Sequence, residues 1–144
     1  PAAIGAKMAR PEAEVWAVTG DGGFQMTQCE LATLQQERLD IKIAIVNNGF
    51  LVMVRQWQEF FHDNRYAATP MLSPDFVKLA GAYDIPAYRV NMRGDVVPTV
   101  KKARETKGPV LIEFQVEKEE AVYPMVPAGS DLHVMIRRPE EVRS

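Results

Sequence analysis

The chain has 144 residues, 47% of them hydrophobic and 25% charged, with a formal net charge of −2. That is the composition of one soluble globular domain able to bury a core, without the basic footprint of a nucleic-acid partner. No apolar run reaches the roughly 18–20 residues of a membrane-spanning helix, and the single cysteine, Cys29, excludes an intrachain disulfide and fits a reducing compartment.

The opening PAAIGAKMARP has no initiator methionine and no signal- or transit-peptide bias. Its proline falls where a helix would have its first turn, so the sequence is expected to be a domain of a longer chain. Residues 2–9 read as a short helix closed by Pro11, and 14–20 as a strand by its valines and brevity. Phe24, Cys29, Leu31, Leu34 and Leu39 recur at roughly helical spacing, which predicts one helix over 24–39 with Cys29 on its buried side. The near-continuous β-branched run at 41–48 predicts a strand buried on both faces.

A helix is expected over 51–61, with Arg55 and Glu59 spaced to pair across one turn. Over 73–83 a further helix is expected, with Ser73 as its cap and Pro74 at its first position. A strand at 87–90, a helix at 96–106 and a strand at 109–116 complete the series, and 117–144 read as an extended tail over a single domain. His62 and His133 are expected at the surface. Strands alternating with helices predict an α/β fold, an open parallel sheet with helices on both faces.

Two strand ends carry glycine-flanked oxygen ligands: GDGG at 20–23 and NNG at 47–49. In an open parallel sheet, ligands bind outside the carboxyl ends of the strands. Glycines let backbone N–H groups approach an anion, and the following helix points its N-terminus there. Asp21 is electrostatically wrong in a phosphate cradle unless a cation sits between, which points to a hard divalent ion such as Mg²⁺ shared with phosphate. Asn47 and Asn48 offer amide oxygens, and the separation 48 − 21 = 27 suits one helix and one returning strand. Either turn alone is ordinary chain punctuation. The turn matches neither a dinucleotide fingerprint nor a Walker A loop. Together, at βαβ spacing, they point to a metal–diphosphate site.

Gly20-Asp21-Gly22, residues 23–46 and Asn47-Asn48 resemble the GDG…NN signature of the thiamine-diphosphate enzymes. PAAIGAK, GDGGFQMTQCELAT, IKIAIVNNG, MVRQWQEFF and VYPMVPAG resemble, from end to end of the chain, the C-terminal domain of the acetolactate synthase catalytic subunit. The resemblance implies metal binding by Asp21, Asn48 and the Phe50 carbonyl. It implies cofactor binding by Gly20, Asp21, Gly22, Gly23, Asn48, Phe50, Leu51, Val52 and Met53. Met53, Val54 and Trp57 would shape the substrate approach, with no acid or base assigned in this chain. It further implies decarboxylation of pyruvate and its joining to a second 2-keto acid, in branched-chain amino-acid biosynthesis. FAD is implied only in the full-length enzyme, in the cytoplasm or a plastid. A homodimer or tetramer through the cofactor domains, a regulatory subunit, and an inactive fragment are also implied.

One position departs from the family: Val52 stands where glycine is usual, which raises the question of backbone strain and added bulk. Two alternatives stay open. One is another thiamine-diphosphate decarboxylase, carboligase or oxidase. The other is a non-catalytic binding module that keeps the fold.

Overall fold

The computed structural model describes residues 1–118 and 121–139. Helix α1 (Ala2–Ala9) precedes β1 (Val15–Gly20), and a broken helical segment follows: α2 (Asp21–Gln25), a 3₁₀ turn at Gln28–Glu30, and α3 (Leu31–Gln36). Next come β2 (Ile41–Asn47), α4 (Val52–Phe61), α5 (Phe76–Gly81) and β3 (Ala87–Val90). A second 3₁₀ turn, Arg93–Asp95, leads into α6 (Val96–Glu105) and β4 (Val110–Gln115).

All strand pairs are parallel, in the order β1-β2-β4-β3. Alternation along the strands divides the core between two faces. Ile41, Ile43, Ile45 and Leu111 pack with Phe24, Leu31, Leu34, Phe76 and Ala80, where the Phe24 and Phe76 rings meet edge to face at 5.5 Å. On the opposite face Val90, Val110 and Ile112 pack with Ala103 of α6, flanked by Trp16 and Tyr88. The strands are added outward from β1 to β3 and then back inward to β4, and a right-handed crossover then requires α6 on the face opposite α2, α3 and α5. Each fully buried aliphatic side chain stabilises by about 1.5–3 kcal/mol, which explains why β2 is buried from Ile41 to Ile45.

Where the structure differs from the sequence reading, the reason is local. The helix expected over 24–39 is interrupted because Thr27 leaves helical backbone, at φ −131° and ψ 12°. Phe24, Leu31 and Leu34 still reach the core, whereas Cys29 is exposed, not buried. The cap of α5 is Asp75, not Ser73, and the helix begins at Phe76. The Asp75 carboxylate accepts from the N–H groups of Val77 and Lys78 at 3.1 and 3.2 Å. Arg55 does not pair with Glu59 among the described residues; it donates to the Lys118 carbonyl at 2.6 Å and lies over the Phe50 and Tyr66 rings.

Residues 121–139 of the expected tail are described, with one antiparallel bridge between Met125 and Ile136; 119–120 and 140–144 lie outside the described residues. The tail holds α4 rather than the sheet. Buried Gln56 exchanges two hydrogen bonds with the Val122 backbone, at 2.8 and 2.9 Å, and Phe60 stacks near Tyr123. Among the described residues no helix is long and apolar enough to cross a membrane.

Candidate functional site

Register places the two glycine turns side by side. Gly20 lies opposite Val46 and Asn47 opposite Gln115, so the chain leaves β1 and β2 at the same end of the sheet. There an open cleft of about 270 Å³ is lined by residues 20–23, 48 and 50–54. The structure thus brings together Gly20, Asp21, Gly22, Gly23, Asn48, Phe50, Leu51, Val52, Met53 and Val54. Trp57 is outside it, one turn further along α4 beside a second opening lined by Val54, Gln58, His62 and Arg65. Met53, Val54 and Trp57 are 52%, 48% and 40% exposed, so none of them is packed into the core. His62 and His133 are exposed, as expected.

Asp21 is the first residue of α2 and only 2% exposed. Its Oδ2 accepts a hydrogen bond from the Ser73 hydroxyl at 2.9 Å. No cationic side chain pairs with it among the described residues. A buried carboxylate held by one neutral donor is costly unless a cation completes it. The helix after the turn has five residues rather than the expected sixteen, so its dipole contributes less than the sequence suggested.

The two asparagines, equivalent in the sequence, have separate work. Asn47 donates to Glu113 Oε1 at 2.7 Å and accepts from the Gly49 N–H at 3.1 Å, which commits it to the scaffold. Asn48 lines the cleft, and its amide oxygen accepts from the Phe50 N–H at 3.1 Å, leaving one lone pair. The segment 69–71 runs antiparallel to the loop 49–51: Leu51 N–H donates to Thr69 and Met71 N–H to the Gly49 carbonyl. The Gly49 and Leu51 carbonyls are used, by Met71 and Arg55, but among the described residues the Phe50 carbonyl accepts nothing.

This donor set fits a hard divalent cation and a diphosphate. It has one buried carboxylate, one amide oxygen and one free carbonyl. Among the described residues no cluster of three His, Cys, Asp or Glu could hold a metal alone, so a shared ion must draw on neutral oxygens and on its ligand. At Gly22 a Cβ would stand 2.9 Å from Leu51 Cδ2 and Met71 Sδ, so any side chain there would have to displace both.

Sequence reasoning missed the polar chain that supports the turn at Asn47. Glu113, 2% exposed, accepts from Asn47 and from Arg89 Nε, each at 2.7 Å, and Arg89 Nη2 donates to Asp75 Oδ1 at 2.7 Å. Asp75 is held below the usual carboxylate range, first by the Lys78 backbone N–H and then, against some desolvation, by Arg89. Arg89 is raised, first by its bond to Glu113. Only a buried glutamate within an apolar strand, VLIEFQ, could have signalled this in the sequence.

Val52 is the first residue of α4 and is not among the positive-φ positions, so the departure from glycine carries no backbone strain. Its side chain lines the cleft wall. Val52→Gly is expected to leave affinity for thiamine diphosphate with Mg²⁺ within about threefold and to cost the helix up to about 1 kcal/mol. A tenfold gain in a calorimetric titration would instead mark the valine as an obstruction.

A larger charged crevice, about 410 Å³, lies around Lys7, Glu14, Asp40, Lys42 and Arg104. Two ion pairs and several backbone carbonyls occupy its charged groups. Lys42 donates to Asp40 and to the Thr106 and Gly108 carbonyls, and Arg104 grips Glu14 with two bonds.

The family model described as "Thiamine pyrophosphate enzyme, C-terminal TPP binding domain" matches residues 1–114. Acetolactate synthase of Mycobacterium leprae (strain TN) is 51% identical over 136 residues, covering 90% of this chain and 22% of its own length. The mitochondrial acetolactate synthase catalytic subunit of Saccharomyces cerevisiae is 44% identical over 142 residues, covering 99% and 21%. This chain therefore spans about a fifth of the length of these curated relatives. Among solved structures, the thiamine diphosphate-dependent 4-hydroxybenzoylformate decarboxylase of Rhodococcus jostii RHA1 superposes with a TM-score of 0.78 at 28% identity, over 84% of this chain and 23% of that one. With its two glycine turns converging on one cleft and most of its length matched, this chain belongs to the family of C-terminal thiamine-pyrophosphate-binding domains of thiamine pyrophosphate enzymes.

Proposed function

We propose that this chain is the cofactor-anchoring domain of an acetolactate synthase, which decarboxylates pyruvate and joins the product to a second 2-keto acid in branched-chain amino-acid biosynthesis. The observation that carries the reading is buried Asp21, with no cation beside it among the described residues, in a cleft it shares with Asn48 and Phe50. Asp21, Asn48 and the Phe50 carbonyl would hold Mg²⁺, and the bare backbone of Gly22 and Gly23 would lie against the diphosphate. When bound, thiamine diphosphate supplies the carbon nucleophile and the electron sink for decarboxylation and carboligation. Leu51, Val52, Met53 and Val54 would form an apolar wall of the cleft beside the bound cofactor. Trp57, exposed one turn beyond, would border the approach of the second 2-keto acid.

Relatives named acetolactate synthase at 42–51% identity favour this activity over that of the decarboxylase at 28%. The chain's own residues supply an anchor and a wall but no general acid or base, so this stretch by itself would make no acetolactate. The remaining parts of the proposal are a homodimer or tetramer through the cofactor domains, FAD elsewhere in the full-length enzyme, a regulatory subunit, and a cytoplasmic or organellar setting.

The test is a calorimetric titration of the full-length protein with thiamine diphosphate, with Mg²⁺ and then with chelator, followed by product analysis on pyruvate. Mg²⁺-dependent binding and acetolactate are expected. Binding with acetaldehyde as the only product would move the reading to a decarboxylase, and no binding at all would favour a non-catalytic module.

A further inference from the structure

The reading of Asp21 as a metal ligand leaves open which ions it would accept, and the answer lies in a residue outside the cleft lining. The Ser73 hydroxyl donates to Asp21 Oδ2 at 2.9 Å, across 52 positions of sequence. Gln25 Nε2, which can only donate, reaches the Ser73 oxygen at 3.4 Å. With Gln25 on its lone pair, the hydroxyl must turn its single proton toward the carboxylate. Asp21 Oδ1 accepts no hydrogen bond among the described residues, yet it is not one of the sealed, unpartnered polar atoms. The carboxylate is therefore divided: one oxygen is held by Ser73 and the other remains available.

That division matters to a divalent ion. Mg²⁺ takes near-ideal octahedral geometry at about 2.0–2.1 Å and accepts carboxylates through one oxygen, whereas Ca²⁺ takes about 6–8 oxygens at longer distances and readily chelates both. We propose that Ser73 is a positioning residue that holds Asp21 to single-oxygen coordination and so selects a small octahedral cation over a larger one. The scaffold gives Ser73 the rigidity this needs. On one side the segment 69–71 is bridged to the loop 49–51, and on the other Asp75 is fixed by the α5 amides and Arg89. This inference rests on the metal-anchoring function proposed above.

The experiment compares the affinity of the full-length protein for thiamine diphosphate in Mg²⁺ and in Ca²⁺, by calorimetry. The protein is expected to prefer Mg²⁺. Ser73→Ala is expected to lower the Mg²⁺-to-Ca²⁺ affinity ratio by about tenfold, within the range seen when the hydrogen-bond partner of a metal ligand is removed. Ser73→Thr, which keeps the hydroxyl, is expected to restore the ratio, and Gln25→Leu to lower it part of the way. A purely structural role for Ser73 would weaken both cations together. An unchanged ratio in Ser73→Ala overturns this proposal alone, with the anchor intact. Failure of the unsubstituted protein to bind thiamine diphosphate with either cation overturns the anchor and this proposal together.

Discussion

Asp21→Asn is expected to reduce Mg²⁺-dependent binding of thiamine diphosphate by on the order of 100-fold or more, while the protein without metal becomes slightly more stable. The two effects have one cause. Asp21 is 2% exposed, and its carboxylate is held by the Ser73 hydroxyl with no cation beside it among the described residues. An amide keeps the acceptor for Ser73 but carries no charge to desolvate. The expected gain is about 1 kcal/mol, or roughly 2–4 °C in Tm for a domain of this size. Such opposition between stability and function is characteristic of a site strained to receive a ligand. Thermal unfolding in chelator, paired with calorimetric titration in Mg²⁺, checks both halves. A variant that binds as before, or melts well below the parent, would remove Asp21 from the anchor.

The largest loss of stability is expected from Glu113→Ala. Glu113 sits within β4, and its two oxygens accept from Asn47 and Arg89 at 2.7 Å. Truncation strands both donors. Breaking a buried ion pair from one side typically costs about 3–5 kcal/mol, and the lower end applies here. Arg89 is 35% exposed and keeps Asp75, so its charge is not left wholly unsatisfied. The site should suffer as well, because Asn47 fixes the turn from which Asn48 reaches the cleft. Glu113→Gln, which can still accept from one donor, should lose less than half as much. Denaturant unfolding at neutral pH measures the cost. Equal stability of the alanine variant and the parent would mean that the polar chain contributes nothing to the fold.

Much of this protein was legible in its sequence, and the legible parts share a physical basis. Ile41, Ile43 and Ile45 announce a strand because a β-branched run is comfortable only in a pleat, and it can be apolar throughout only if both faces are covered. The turns at Gly20-Asp21-Gly22-Gly23 and Asn47-Asn48-Gly49 announce a ligand site because each departs from what a bare turn requires, and the spacing between them is one βα unit. The residues lining the cleft lie within two short contiguous stretches, 20–23 and 48–54. Local chemistry and βα periodicity pointed to 20–23 and to Asn47-Asn48, whereas 50–54 came only with the resemblance to the thiamine-diphosphate enzymes.

What the sequence could not supply is everything that depends on contacts between distant segments. It treats Asn47 and Asn48 alike, and only the packing of β2 against β4 commits the first to Glu113 and leaves the second at the cleft. It reads Ser73 as a helix cap because a local rule prefers serine before proline. The structure spends that hydroxyl on a carboxylate 52 residues away and gives the cap to Asp75. Helical spacing predicted one helix across Thr27, yet the helix is interrupted there, and Cys29 is exposed just beyond it. Short-range propensity and periodicity determine which elements form and where the turns fall. Which polar atoms are held and which are left open at the cleft depends in part on contacts such as Ser73 with Asp21 and Asn47 with Glu113, because a buried donor or acceptor takes whatever partner the fold brings to it.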